Sequence, residues 1–151
     1  RLLNYRFTPV QGLPIVRECE GRYGNLCSPA SPGGTTGVPL PKWRHTARLT
    51  LGTEGVRGSL QWRYLGSVRD DNDAVLFAVE RLPSRSYFDL TVSANVTDTF
   101  SLNTGVSNLF DEQPPLLASA QSGGSGEQTN TFPSTYDVLG RSFFVSGRVR
   151  F

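Results

Sequence analysis

Tyr87-Phe88-Asp89-Leu90-Thr91-Val92-Ser93-Ala94-Asn95-Val96, followed after Thr97–Thr99 by Phe100-Ser101-Leu102-Asn103-Thr104-Gly105-Val106, alternates with a period of two. Phe88, Leu90, Val92, Ala94 and Val96 fall on one side, Tyr87, Asp89, Thr91, Ser93 and Asn95 on the other. Strand residues point alternately to the two faces of a sheet, so this spacing predicts two strands with one apolar face. The pattern recurs in both directions. Gly140–Phe151 sets Phe143, Val145, Gly147, Val149 and Phe151 against Ser142, Phe144, Ser146, Arg148 and Arg150. Ser59–Leu65 sets Leu60, Trp62 and Tyr64 against Gln61 and Arg63, and His45–Leu51 sets Ala47, Leu49 and Leu51 against Thr46, Arg48 and Thr50. Leu3, Tyr5 and Phe7 predict a sixth strand. No stretch carries a helical stripe.

The connections alternate in length. Pro9–Lys42, Arg69–Arg85 and Asp111–Leu139 are long, while Thr53–Val56 and Thr97–Thr99 are short. Long outer loops alternating with short periplasmic turns characterise outer-membrane barrels, and loops this long are uncommon in compact soluble domains. The polar parity carries Arg, Gln, Asn and Asp at mid-strand, as a wet lumen requires. The apolar parity carries Phe88, Phe100, Trp62, Tyr64 and Phe151 near strand ends, where a barrel places its aromatic girdles. A soluble β-sandwich, whose apolar face meets a second sheet, is the alternative. Six strands do not close a barrel, and an open edge in lipid is costly. The chain therefore reads as part of a larger barrel, with its long loops outside.

Composition narrows the classes further. The 151 residues suit one domain, and no run approaches the ~18 apolar residues of a membrane helix. The absence of Met, even at position 1, points to a processed or excised piece. Of the fifteen basic residues only Lys42 is lysine, and they form no basic block, so nucleic acid is not an expected partner.

Several longer motifs are familiar as a set. Tyr87-Phe88-Asp89-Leu90, Ser107-Asn108-Leu109-Phe110-Asp111 and Pro114-Pro115 resemble the C-terminal barrel of TonB-dependent outer-membrane receptors. Pro133-Ser134-Thr135-Tyr136-Asp137-Val138-Leu139-Gly140-Arg141 and terminal Phe151 resemble that family's last loop and strand. Pro41-Lys42-Trp43-Arg44 and Trp62-Arg63-Tyr64-Leu65-Gly66-Ser67-Val68 are similar to strand starts and ends in its oligomeric-receptor-like members. The resemblance covers nearly all of residues 1–151. It implies about six strands of a transmembrane antiparallel barrel of about 22, closed around a plug. It implies an outer-membrane location and partners in lipid, the rest of the barrel, the plug, and TonB through an N-terminal segment. The plug and earlier strands are expected outside this chain. The implied activity is energised uptake of a scarce nutrient (siderophore, cobalamin, sugar or peptide), with no bond chemistry. A passive or structural barrel and a disulfide-stapled soluble sandwich remain alternatives.

The candidate residues are few. Cys19 and Cys27, in the first long loop, suggest a disulfide closing a nine-residue ring, with Gly21 and Gly24 supplying its bends. Chain entropy gives such a ring about 2.5 kcal/mol. His45 is the only histidine, which excludes a histidine triad or multi-His zinc site within this chain, and it reads as interfacial. Asp70-Asp71-Asn72-Asp73 offers oxygen ligands but lacks the calcium-loop glycine and terminal Glu, and reads as a solvated tip. Arg6, Arg48, Arg63, Arg148 and Arg150 share the inward parity, free to contact a plug or pair with neighbours such as Asp89. Gly123-Gly124-Ser125-Gly126 lacks the Gly-Lys-Ser/Thr ending of a phosphate loop and reads as a flexible connection. No catalytic, cofactor or metal residues are assigned, and the substrate-binding residues are not legible.

Overall fold

The computed structural model describes residues 6–7, 17–24, 26, 37–118 and 130–150. Among them every regular element is a strand or isolated turn, so the chain is all-β. Five long strands carry the alternating segments: β5 (Arg44–Gly52), β6 (Val56–Leu65), β9 (Arg85–Asn95), β10 (Phe100–Ser107) and β11 (Ser142–Val149). Shorter strands are β1 (Arg6–Phe7), β2 (Arg17–Glu18), β3 (Arg22–Gly24), β4 (Gly37–Leu40), β7 (Val68–Asp70) and β8 (Arg81–Leu82). The chain divides into two compact units.

One unit, from His45–Tyr64, Ser86–Gln113 and Leu139–Phe151, holds the five-stranded sheet in the order β11-β10-β9-β6-β5. These long strands neighbour one another in chain order, which is an up-and-down meander. The register sets Val145 opposite Thr104 and Thr104 opposite Val92. One step along, Ser146 faces Asn103 and Asn103 faces Ser93. Partners across a ladder share a face, so the parity expected from sequence holds across three strands. Thr53 N–H donates to the Val56 carbonyl (2.7 Å), and Val96 and Thr97 N–H to Phe100 (2.9 and 3.1 Å), closing two tight reversals. Asn95 ties them together, donating from its backbone to Gly55 (2.8 Å) and from its amide to Glu54 (3.2 Å). The short turns therefore share one end of the meander, and the long connections leave from the other. The sheet is open, with β5 and β11 as edges, and no closed barrel forms among the described residues.

The sixth expected strand differs. Its described residues, Arg6–Phe7, pair with Arg17–Glu18 in a separate two-stranded ribbon. Their pairing is spent there, and β5 keeps a free edge.

The other unit, from Arg1–Arg44, Leu65–Arg85 and Pro114–Val138, is made of the long connections. Here β3 pairs antiparallel with β4 and parallel with β7, and β7 pairs antiparallel with β8. Tyr23, Val68, Leu82, Leu117, Phe132 and Tyr136 are buried together, with Leu65 and Val79 packed against them. Each long connection contributes to this core. Gly21 and Gly24 take φ of 76° and 129°, the bends expected of them.

Candidate functional site

The polar face of the five-stranded sheet is organised around Asp89. Its carboxylate accepts from Arg63 Nε (2.8 Å) and Nη2 (3.0 Å), from Gln61 Nε2 (3.3 Å), and from the Asn108 backbone N–H (2.9 Å). Arg48 donates in turn to Gln61 Oε1. The Arg63 guanidinium also lies over the Tyr87 ring, 5.2 Å from its centroid. Thr50–Ser59 (3.2 Å) and Ser93–Asn103 (2.9 Å) extend the network. Of the arginines expected to face inward, Arg63 pairs directly with Asp89 and Arg48 reaches it through Gln61. The side chain of Arg6 lies outside the described residues. Arg148 lines a cleft of about 380 Å³ with Arg57, Glu54, Asn95 and Ser146 at the short-turn end. Asp89→Asn keeps the shape but removes the charge that two guanidinium bonds and an amide converge on. Because Arg63 is one-third exposed, the expected loss is about 1–2 kcal/mol, read as a lower urea midpoint. An unchanged midpoint would show that the network is ornamental.

The apolar face bears a band of rings at the long-loop end. His45 packs edge-on to Trp62 (4.5 Å) and stacks on Tyr64 (5.3 Å). Trp62 stacks on Phe88 (5.9 Å), and Phe88 meets Phe110 edge-on (5.4 Å). Trp62 Nε1 donates to Ser86 Oγ (3.3 Å), giving the indole the polar handle that interfacial rings use. His45 thus belongs to the aromatic band. At the opposite end the Phe100 ring lies over Gly147 on the same face. None of Leu60, Leu90, Val92, Leu102, Val106, Val145 or Val149 is buried, and Val145 is 73% exposed.

Ser107-Asn108-Leu109-Phe110-Asp111, whose role no strand period explains, forms the reversal that ends β10. Asn108 and Asp111 adopt φ of 52° and 56°, a left-handed conformation that Asn and Asp tolerate best among residues with a Cβ. Asn108 is fully buried. Its amide donates to the Glu112 carbonyl (3.0 Å) and accepts from the Glu112 N–H (2.9 Å). Asp111 Oδ1 accepts from the Arg141 N–H (2.8 Å), fastening the end of β10 to the start of β11.

In the loop unit, Asp73 receives a two-pronged contact from Arg22 (2.8 and 3.2 Å), which holds its carboxyl below the usual range. Asp70 Oδ1 accepts from the Asn72 N–H (2.9 Å), and Asn72 Oδ1 from the Ala74 N–H (3.1 Å). The acidic tip is thus occupied by its own loop's backbone and by Arg22 of the first long connection. Tyr23 donates to the Val79 carbonyl (2.5 Å), and burial, with Asp70 and Glu80 nearby, pushes its phenol well above the ordinary tyrosine value. Cys19 is buried, whereas Cys27 and Gly123–Gly126 lie outside the described residues.

No protein-family model matches the chain, and none of the curated proteins matches it. A mutant of the ferric enterobactin receptor of Pseudomonas aeruginosa, known from its crystal structure, is similar in structure, with a TM-score of 0.51 at 19% identity. The match covers 70% of this chain and 16% of the receptor's. The likeness is one of fold. The chain thus spans about a sixth of the length of the receptor it resembles.

Proposed function

We propose that this chain is the C-terminal part of a TonB-dependent outer-membrane receptor, a segment of a barrel of about 22 strands. The observation that carries the proposal is the two-faced meander. One face is apolar, exposed and banded with rings, and the other is polar and hydrogen-bonded from strand to strand. Strands of 8 to 11 residues suit a crossing that takes about 9–11 when tilted. The receptor-like fold supports the same reading. In this role the apolar face meets outer-membrane lipid, the free edges of β5 and β11 pair with other strands of the same barrel, and the polar face lines a plugged lumen. The loop unit takes part in holding a scarce nutrient on the cell surface. TonB then energises its entry through a segment outside this chain, with transport rather than catalysis as the outcome. A plug domain is expected upstream in the parent reading frame, and its absence would leave a passive barrel instead.

Protease applied to intact cells tests the orientation. Cleavage is expected within 9–42, 69–85 or 111–139, and cleavage confined to 53–56 or 97–99 refutes the topology. The proposal includes a Cys19–Cys27 disulfide with Cα atoms within about 7 Å. Mass spectrometry under non-reducing conditions should find no free thiol, and a pair of free thiols removes the staple.

A further inference from the structure

The sheet of the loop unit carries a row of arginines. Arg22 on β3 is in register with Arg69 on β7, and Arg69 with Arg81 on β8. Residues in register share a face, and neighbouring strands lie about 4.8 Å apart, so the three Cβ atoms line up over roughly 10 Å. The opposite face supplies Tyr23, Val68 and Leu82 to the core, which turns the arginines outward. Like charges set directly opposite one another destabilise a sheet, and the acidic loop tip offsets this only in part: Asp70, Asp71 and Asp73 lie near Arg22, and Asp73 also feels the charge of Arg69.

The row's partners are unevenly distributed. Arg22 holds Asp73 and the Asp70 carbonyl. Arg81 donates to the Ser67 hydroxyl (2.8 Å), which cancels none of its charge. Arg69, at the centre, is exposed and makes no side-chain hydrogen bond or ion pair among the described residues, its charge reaching Asp73 only through space. The row is also bounded. Leu40 occupies the next register position beyond Arg22, and β8 is the sheet's edge beyond Arg81. Guanidinium forks bind carboxylate and phosphate oxygens two at a time. We infer that Arg69 and Arg81, flanked by Arg22, form a binding site for a compact soluble polyanion whose anionic oxygens are spaced about one strand apart. The bounded length fits a small ligand better than an extended anionic surface. Asp73 occupies the Arg22 end and competes with the ligand there. The inference needs the loop unit's sheet and not the transport reading, so the two can fail separately.

The test uses the full-length protein containing this chain, purified in detergent micelles and titrated calorimetrically at low salt with tripolyphosphate and with citrate. The wild type should bind at least one of them, more weakly as salt rises. Arg69→Gln should weaken binding about tenfold, Arg69→Lys less, and Arg69→Gln with Arg81→Gln should abolish it. Arg141→Gln should leave it unchanged. Asp73→Asn frees Arg22 and should tighten binding several-fold, a gain that misfolding does not produce. The inference is overturned if the wild type binds neither anion, or if the double variant binds as well as wild type with the same unfolding temperature. Capture by phosphatidylglycerol vesicles that neither soluble anion competes away also overturns it, in favour of lipid headgroups.

Discussion

Phe132→Ala should release all three long connections at once while the five-stranded sheet keeps its protection. Phe132 is fully buried and meets Tyr23 edge-on at 5.8 Å, inside a core to which each connection contributes. Removing an aromatic from such a site costs about 3–5 kcal/mol, the lost transfer free energy plus the cavity left behind. A unit held by one small core has little reserve, and it opens cooperatively when that core fails. Hydrogen exchange reads this directly. Amides of β3, β7 and β8 should gain exchange together, although they are far apart in sequence, while β9 and β10 stay protected. Faster exchange confined to residues near 132 would show that the loops fold separately and share only contact.

The strands of the loop unit are not legible in the sequence. The long strands were legible because period-two alternation over eight or more residues has one structural meaning, and the register of β9, β10 and β11 follows the parity residue by residue. Strands of two to four residues carry too few alternations to show a period. The parallel pairing of Arg22–Gly24 with Val68–Asp70 joins segments more than forty residues apart, a contact no local pattern encodes. The loops were therefore expected as connections and prove to be a second folded unit. Asn108 was hidden for a different reason. Its role depends on a left-handed φ and on Glu112, Asp89 and the end of β10 meeting at one place, so the residue was recognisable as part of a familiar string but not as a turn-former. Asp89 was legible as a partner for the inward arginines, since parity alone set it on their face.

Parity also yields the sharpest test of the membrane reading, because two neighbouring residues must answer oppositely. Val145 and Ser146 are adjacent at the middle of β11 and point to opposite faces. Val145 shares its face with Thr104 and Val92, and Ser146 shares the other with Asn103 and Ser93. If the apolar face meets lipid, Val145→Arg drives a guanidinium into the hydrocarbon at about 2–4 kcal/mol near the midplane. Ser146→Arg enters a polar lumen and should cost a small fraction of that, its new charge lying on the face that already accommodates Arg48, Arg63 and Arg148. Urea unfolding of the full-length barrel in lipid vesicles measures both. Equal losses would mean that both faces are packed against protein, and no loss at either would mean that both are wet. Only a large cost at Val145 beside a small one at Ser146 is compatible with a sheet that separates lipid from a polar interior, and repeating the pair at Val92 and Ser93 would show whether the boundary runs unbroken from β11 to β9.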